Sequence, residues 1–307
     1  GINAIYLNPI FAATTNHRYN TSDYYQIDPK LGKLADFRAL LETAHRNDVR
    51  IVLDGVFNHV GRGFFAFVDV LENGENSPYK NWFHIKGFPL DAYDGDQSEK
   101  YLCWWNQKSL PKLNFSNKQV RKYIFDVARY WIEMGVDGWR LDVPNEIDDD
   151  VFWAEFRRVV RSANRDAYLI GEIWDVNPRW TDDNHFDGLM NYPVRDALLA
   201  LLQGRENAVQ FDERINGLFK VYKPDNMSAM YNPLDIDDTD DLVHGGQQLA
   251  LFNSHAGGHC FQPIHIFEAN SGKPVLSLLR PGKRPSGSEI ARVLAHVIHR
   301  IRRHWPK

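Results

Sequence analysis

Cysteine is scarce in this sequence: Cys103 and Cys260 are the only two, and they lie far apart. Two distant thiols define neither a disulfide framework nor a cysteine-based metal site. The sequence also lacks any apolar run close to the roughly 18 residues that a membrane span needs. It shows no internal repeat and no signal peptide. The chain opens inside a predicted strand, so we expect sequence to precede Gly1 and leave secretion open.

A strong excess of one charge is absent too, because 36 Lys and Arg face 40 Asp and Glu for a net charge of −4. This balance argues against a protein that binds nucleic acid over its whole surface. The distribution is uneven, however. Residues 235–241 are mostly acidic, whereas the stretch from Arg280 onward is basic, with Glu289 as its single acidic residue. Such an acidic-to-basic switch within one chain is a feature to follow along the sequence.

Up to about residue 204, short apolar strands alternate with amphipathic helices. This alternation predicts a parallel sheet covered by helices, either doubly wound or closed as a barrel. A capping-box pattern at 116–119 predicts the start of one helix, and Pro193 suits the first turn of another. Residues 60–115 interrupt the alternation as a long irregular excursion. The predicted strands are Ala4–Asn8, Arg50–Asp54, Val136–Asp142, Tyr168–Glu172 and Phe186–Met190, and the predicted helices are Ala35–Asn47, 117–134 and one carrying Phe152, Phe156, Val159 and Val160.

Polar side chains fall at the ends of four predicted strands: Asn8, Asp54, Asp142 and Glu172. The carboxyl ends of parallel barrel strands all face one mouth, where active sites gather. Each carboxylate could instead cap the helix that follows it, so the pattern becomes informative only because three strands share it.

Two carboxylates at such a mouth suit the cleavage of a glycosidic bond. One protonates the leaving oxygen while the other attacks the anomeric carbon, and in retaining enzymes they lie about 5–5.5 Å apart. Arg140 precedes Asp142 by two positions, so both side chains point to one face of the strand. We therefore expect a cation to keep Asp142 ionised as the nucleophile. The apolar neighbours of Glu172, Ile173 and Trp174, favour a raised pKa and the role of acid.

Five motifs carry a resemblance to a known family. They are His17-Arg-Tyr19-Asn-Thr-Ser-Asp-Tyr24, Asp54-Gly-Val-Phe-Asn58-His59, Leu110-Pro-Lys-Leu-Asn114, Gly138-Trp-Arg140-Leu-Asp142-Val-Pro-Asn-Glu146 and Gly171-Glu172-Ile-Trp174. With them, the first 230 or so residues resemble the α-amylase family of glycoside hydrolases. Within that family they are most similar to the branch of neopullulanase, cyclomaltodextrinase and maltogenic amylase.

The resemblance implies a TIM barrel with Asp142 as nucleophile, Glu172 as proton donor and Arg140 as the orienting cation. It implies that Tyr19 and His59 line the subsite of the sugar to be cleaved, and that Asp54 and Asn58 shape the mouth. A mainly structural role for Asp54 stays open. Trp174 is a candidate sugar platform, as are Phe57, Trp104 and Trp105; ordinary packing is the alternative for each. No cofactor and no metal are implied, the oligomeric state stays open, and a cytoplasmic location is favoured for a bacterial enzyme of this branch.

The family pattern breaks in three places. The chain begins at what would be the second barrel strand, and the N-terminal accessory domain of this branch does not precede it. The fourth signature should read Leu-Asp-Ser-His-Asp-Thr, but residues 234–239 read Leu-Asp-Ile-Asp-Asp-Thr. Asp238 is in register with the third carboxylate of the family, whereas Asp237 replaces its histidine. Nothing after it resembles the eighth strand or the C-terminal β-domain.

Residues from about 233 resemble a different family, the DDE-type transposases of insertion sequences, which have a ribonuclease-H-like α+β fold and hold two metal ions. Asp237 would be the first ligand, and the others would fall beyond Lys307. The resemblance rests on the segments 234–241, 244–249, 252–253, 263–268 and 279–283 and on the basic helix predicted at 288–304.

We therefore expect an incomplete (β/α)8 barrel over residues 1–232, with its insertion at about 60–115 after the third barrel strand. A transposase-like fragment follows at 233–307, joined by a fusion near residue 232. The predicted function is retaining hydrolysis of α-1,4 or α-1,6 bonds in maltooligosaccharides, cyclodextrins or related α-glucans, impaired by the missing strands. The alternative is a nucleic-acid-associated transposase remnant or an inactive fusion product. Nucleic acid could bind only the basic tail, whose charges are more often a solvated surface.

Overall fold

The computed structural model describes residues 3–95 and 97–230 and, beyond them, the backbone of six short strands between Leu234 and Leu278. Among the described residues, no helix is long and apolar enough to cross a membrane.

Five parallel strands form the central sheet in the order β1-β4-β5-β6-β7. The predicted parallel sheet is thus confirmed with all five predicted strands in it, although β5 and β7 are shorter at both ends than predicted. A separate antiparallel pair, β2 and β3, follows β1. The strands are β1 (Ala4–Leu7), β2 (Phe11–Ala13), β3 (Thr21–Ile27), β4 (Arg50–Gly55), β5 (Gly138–Leu141), β6 (Tyr168–Gly171) and β7 (Gly188–Leu189).

The helices lie where the apolar periodicity predicts them. The first turn of α3 differs from the prediction: Asn117 caps the helix by accepting the backbone N–H of Gln119, so the cap is one residue later than Ser116. Pro193 lies in the first turn of its helix, as expected. The helices are α1 (Leu34–Arg46), α2 (Phe65–Asn73), α3 (Lys118–Glu133), α4 (Asp150–Ala163), α5 (Tyr192–Leu202), α6 (Ala208–Val221) and α7 (Pro224–Ser228).

Alternation along the strands separates a core face from a polar face. Leu53, Trp139 and Leu169 are fully buried on one face; there the Trp139 ring contacts Phe57. The residues that follow Leu53 and Trp139 in sequence, Asp54 and Arg140, are paired in register and point to the opposite face. Because side chains alternate across a strand, the pairing that builds the core also sets the acidic and basic groups side by side.

The excursion at 60–115 is more ordered than its sequence suggests. It contains the nine-residue helix α2, whose apolar residues are continuous rather than periodic. Short antiparallel bridges, including His59 to Lys112 and Phe83 to Leu113, tie the excursion to itself. Its two ends meet beside the end of β4, so the whole segment is anchored at the carboxyl edge of the sheet.

Residues 208–230 pack on the parallel sheet. Leu218, Tyr222 and Met230 join the main hydrophobic core. The Tyr168 hydroxyl donates to the carbonyl of Ala229. A Cβ on Gly188 of β7 would overlap that same carbonyl. The chain at 229–230 therefore runs directly against the outer strand of the sheet.

The strands after residue 233 form two small sheets of their own. β8 (Leu234–Asp238), β12 (Ile264–Glu268) and β13 (Lys273–Leu278) lie in the order β13-β12-β8, whereas β9 (Asp241–Leu242), β10 (Leu251–Asn253) and β11 (Gly258–Phe261) lie in the order β10-β11-β9. The sequence pattern predicts two strands of a hairpin-like pair over 259–268 and 274–280, and the pairing of β12 with β13 confirms the hairpin. The single strand predicted over 259–268 is wrong, because β11 and β12 belong to different sheets. The predicted helix 288–304 lies outside the described residues.

Gly188 provides a test of how closely the segment at 229–230 fits the sheet. We expect Gly188→Ala to lower the free energy of unfolding by about 1–3 kcal/mol, because the added methyl group displaces the backbone at Ala229. The measurement is urea unfolding of both proteins.

Gly217→Ala is the matched control, because it lies in α6 with open space around its Cβ position. It should raise stability by about 0.5–1 kcal/mol, since alanine costs less backbone entropy in a helix than glycine. Equal effects of the two substitutions would contradict the close packing at residues 229–230.

Candidate active site

Three predicted carboxylates converge on one buried guanidinium. Asp54 lies in β4, while Asp142 and Glu172 come directly after β5 and β6. Nη1 of Arg140 lies 2.9 and 3.1 Å from the two oxygens of Asp54 and 2.8 Å from Oδ1 of Asp142. Nη2 of Arg140 lies 2.6 Å from Oε1 of Glu172. One cation therefore joins the ends of three neighbouring strands.

A second group of side chains completes this cluster, and the sequence reasoning did not identify it. Tyr6 of β1 donates its hydroxyl to Asp54, and its ring lies 5.6 Å from the Arg140 guanidinium carbon. Nε of Arg140 lies 3.2 Å from Sδ of Met190. The i, i+2 rule applied from Asn8 back along β1 would have found Tyr6. Asn8 itself is exposed just beyond the strand.

The electrostatics differ from the expectation for Asp142. Burial raises the pKa of Asp142 to about 8, with the charges of Asp54 and Glu172 adding to the rise and Arg140 opposing it. Burial also raises the pKa of Asp54. If all three carboxylates were ionised, one guanidinium would leave two buried negative charges unbalanced, which is costly. Three carboxylates around one guanidinium therefore favour retention of a proton by the cluster, and the raised pKa of Asp142 runs opposite to the expectation that Arg140 keeps this carboxylate ionised.

The surroundings of Glu172 also differ from the expectation. Ile173 next to it is buried, but the carboxylate itself is not in an apolar setting. It accepts hydrogen bonds from the Tyr192 hydroxyl at 3.2 Å and from the Val143 backbone N–H at 3.2 Å, besides its ion pair with Arg140. These contacts come from residues distant in sequence or from the main chain, so local composition could not predict them.

His59 is a buried, uncharged side chain next to Tyr19. Burial lowers the pKa of His59 to about 4. Its Nδ1 lies 3.1 Å from Nδ2 of Asn58, and its Nε2 lies 3.0 Å from the carbonyl of Tyr19. Because the side-chain amide of Asn58 donates to Nδ1, the ring proton of His59 lies on Nε2, which donates it to the carbonyl of Tyr19. The predicted residues Tyr19, Asn58 and His59 are therefore brought together, next to Trp104, whose ring stacks on His59 at 5.1 Å.

Exposed aromatic rings continue outward from His59. Trp104 stacks on Trp105 with 4.5 Å between ring centroids, and Trp105 meets Trp174 edge to face at 6.3 Å. Trp105 is 63% exposed and Trp174 is 53% exposed, so both present apolar surface to solvent. Phe57 is 1% exposed and packs in the core, which favours the packing alternative for that ring.

Two further observations concern Asp238 and possible metal ligands. Asp238 lies in β8, where its backbone pairs with Ile264 of β12 rather than with β7; its side chain lies outside the described residues. Among the residues that the structure describes, no group of three or more His, Cys, Asp or Glu side chains is arranged to hold a metal ion.

A parallel sheet that carries carboxylates and an arginine at its carboxyl edge has the arrangement typical of a (β/α)8-barrel active site. The family model described as "Alpha amylase, catalytic domain" matches residues 1–233. The chain therefore belongs to the α-amylase family.

Two curated proteins are similar to most of this chain. The chain is 44% identical to a cyclomaltodextrinase from Bacillus sp over 245 residues, which are 79% of this chain and 43% of that protein. It is 44% identical to neopullulanase 2 from Thermoactinomyces vulgaris over 78% of this chain and 41% of the relative. The chain thus spans less than half the length of these curated relatives.

A solved structure supports the same fold. The cyclic α-maltosyl-(1→6)-maltose hydrolase from Arthrobacter globiformis, in complex with that cyclic sugar, superposes with a TM-score of 0.71 at 41% identity. The match covers 74% of this chain and 51% of that one. The five parallel strands are therefore part of a (β/α)8 barrel.

The C-terminal part of the chain matches a second family. The model described as "Transposase DDE domain group 1" matches residues 208–307. The two matches overlap over residues 208–233, the region that contains α6 and α7. The acidic stretch at 235–241 and the basic stretch from Arg280 both lie within this second match.

The raised pKa of Asp142 predicts a pH-dependent effect of its replacement. Its folded pKa of about 8 lies above the value of about 3.9 in an unfolded chain. The folded protein therefore holds a proton that the unfolded chain has lost, and stability falls as the pH rises from about 4 to 8. Asparagine mimics the protonated acid. We expect Asp142→Asn to be more stable than the wild type by roughly 2–4 kcal/mol at pH 9 and nearly equal to it at pH 4.

Thermal unfolding at both pH values measures this difference. Asp126→Asn is the matched control, because Asp126 lies on the surface of α3 beside Lys122 and should change stability little at either pH. An Asp142→Asn variant that is no more stable than the wild type at pH 9 would contradict the buried-proton account.

Proposed function

We propose that residues 1–232 form a retaining glycosidase unit that acts on α-1,4-linked glucans, with α-1,6 bonds as a second candidate. The observation that carries the proposal is the shared guanidinium: Arg140 contacts Asp142 through Nη1 and Glu172 through Nη2. The width of one guanidinium group therefore separates the atoms that the two carboxylates contact. Such proximity suits direct attack by one carboxylate while the other transfers a proton.

In this mechanism Asp142 is the nucleophile. Its carboxylate attacks the anomeric carbon as the bond to the leaving oxygen breaks, and Glu172 gives that oxygen its proton. Glu172 then removes a proton from water, which attacks the glycosyl ester and releases Asp142. The raised pKa of Asp142 requires that its proton leave before the attack. The cluster as a whole retains a proton for the acid, and a bound sugar decides which carboxylate carries it.

The substrate class follows from the aromatic surface and from the relatives. Trp105 and Trp174 offer exposed apolar faces at the mouth, and aromatic rings bind the apolar faces of sugars. The similar proteins include a cyclomaltodextrinase and a neopullulanase, and the similar structure holds a cyclic maltosyl sugar. We infer that this unit binds maltooligosaccharides or cyclodextrins. His59 and Tyr19 would line the subsite of the cleaved sugar.

We further propose that the glycosidase unit extends to residue 232, although the transposase match begins at 208. Leu218, Tyr222 and Met230 contribute to the core of the parallel sheet, so residues 208–230 serve the glycosidase fold. From 234 onward the strands pair with one another. Asp237 stands where the α-amylase pattern has a histidine, so we expect slow turnover. The transposase match supports the second candidate for residues 233–307, a nucleic-acid-associated remnant.

Covalent labelling tests the proposed roles without requiring rapid turnover. Treating the chain with 5-fluoro-α-D-glucosyl fluoride should add one fluoroglucosyl group to the peptide that contains Asp142, as measured by mass spectrometry. Fluoride departs without a proton, so Glu172→Gln should still be labelled, whereas its hydrolysis of maltotriose should fall by about 10²–10⁴-fold. Asp142→Asn should not be labelled.

Glu146→Gln is the control for labelling at a neighbouring carboxylate, because Glu146 lies close to Asp142 in sequence and is paired with Lys112. This variant should be labelled at Asp142 as fully as the wild type. Labelling at another carboxylate, or equal labelling of Asp142→Asn and the wild type, would refute the assignment of Asp142 as nucleophile.

A further inference from the structure

The two oxygens of Glu172 have different partners. Oε1 lies 2.6 Å from Nη2 of Arg140 and accepts the Tyr192 hydroxyl at 3.2 Å. Oε2 accepts only the backbone N–H of Val143, at 3.2 Å, among the hydrogen bonds of the described residues. One oxygen thus faces a full positive charge, and the other faces a single neutral donor.

Val143 adopts a backbone conformation that its side chain disfavours. It lies in the left-handed region with φ 35° and ψ 53°; for a β-branched residue this is a true outlier, and the conformation is strained. The surrounding structure holds it there: the N–H of Asp142 donates to Gly55, and the N–H of Glu146 donates to the carbonyl of Val143. Strain that neighbours maintain in this way points to a role for the conformation.

That role is visible in where the strained residue directs its N–H. Val143 follows Asp142 directly, and its N–H donates to the carboxylate at the end of the next strand. The N–H of the preceding residue, Asp142, points the other way, to the carbonyl of Gly55 in β4. The kink therefore connects the strand of one catalytic carboxylate to the side chain of the other.

Tyr192 is suited to the complementary position. It is the first residue of α5, two residues after Met190 at the end of β7, and its hydroxyl also lies 3.9 Å from the sulfur of Met190. Burial, and then the charge of Glu172, raises the pKa of Tyr192 to about 12. The hydroxyl thus keeps its proton and remains a donor over the working pH range.

We propose that the Val143 N–H and the Tyr192 hydroxyl are positioning groups for Glu172, and that they assign the transferred proton to Oε2. The inference rests on the proposed function. The charge of Arg140 and the Tyr192 hydroxyl disfavour a proton on Oε1. When Glu172 carries the proton in the complex with the sugar, that proton therefore resides on Oε2, whose direction the Val143 N–H sets. In the first step it passes from Oε2 to the glycosidic oxygen as the C–O bond breaks, and in the second Glu172 recovers a proton from water.

Two substrates with different leaving groups test this proposal on the full chain. Maltotriose needs a proton at its leaving oxygen, whereas α-maltosyl fluoride does not. We expect Tyr192→Phe to lower kcat/KM for maltotriose about 10-fold, because a hydrogen bond to a charged group is lost, and to change kcat/KM for the fluoride less than 2-fold. The alkaline limb of the maltotriose pH profile should move upward, since a donor to the ionised carboxylate is gone.

Tyr222→Phe is the matched control. Tyr222 is a buried tyrosine whose hydroxyl accepts the N–H of Asn177 rather than contacting a carboxylate. It should leave both the substrate ratio and the pH profile unchanged. A loss of general packing in Tyr192→Phe would lower both substrates together, and that outcome would overturn the positioning role.

The Val143 N–H requires a change in the main chain. Replacing Val143 by its α-hydroxy acid turns this amide into an ester and removes the N–H, and we expect the maltotriose-to-fluoride ratio to fall by about 10-fold. The same replacement at Val49, a buried valine whose N–H donates to Ala44, should leave the ratio unchanged.

An unchanged ratio at Val143 overturns the assignment of the proton to Oε2. Fluoride turnover by the wild type together with unchanged ratios in both variants would overturn this inference alone. No turnover of either substrate by the wild type would overturn the proposed function and this inference with it.

Discussion

The buried guanidinium of Arg140 is the constraint on which the site depends. A cation that is 3% exposed is tolerated only with charged partners, and here three carboxylates from three strands surround it. Because the negative charges outnumber the positive charge, the cluster retains a proton. In the proposed mechanism the same imbalance supplies the catalytic acid, and it lowers stability at alkaline pH, so the proposed function and folding compete for one set of charges.

The rest of the fold brings groups to that cation. Strand register places Asp54 beside Arg140, and the end of β6 delivers Glu172. The excursion returns at His59 and Trp104 to form an aromatic wall that extends to Trp105 at the surface. The charged side chains around Arg140 thus lie buried at the end of the sheet, and the exposed ring of Trp105 lies at the surface. This division suits a sugar, whose ring has apolar faces and a polar edge.

The chain changes its packing partners between residue 230 and the start of β8 at Leu234, near the end of the α-amylase match. Residues 229–230 run against β7, with the carbonyl of Ala229 at Gly188, whereas β8 pairs with β12. Hydrogen bonding thus changes partners within a few residues. The helices α6 and α7 are retained by the parallel sheet through Leu218 and Tyr222, even though a transposase model matches their sequence. The sequence likeness to transposases begins at residue 208, whereas the buried contacts of the parallel sheet extend to residue 230. The two boundaries differ because sequence likeness and core packing depend on different properties of the same residues.

Sequence alone determined the order of the elements, the parallel sheet and the convergence of Asp54, Arg140, Asp142 and Glu172. Period-2 and period-3.6 apolar patterns specify which faces are buried, and parallel strands bring their ends to one edge. Only the tertiary structure decided which groups surround those carboxylates. Val143, Met190 and Tyr192 reach the cluster through a strained turn, a strand end and a helix start, and none of these is encoded in local composition. The protonation of Asp142 likewise depends on burial together with three other charges, which exist as neighbours only after the chain has folded.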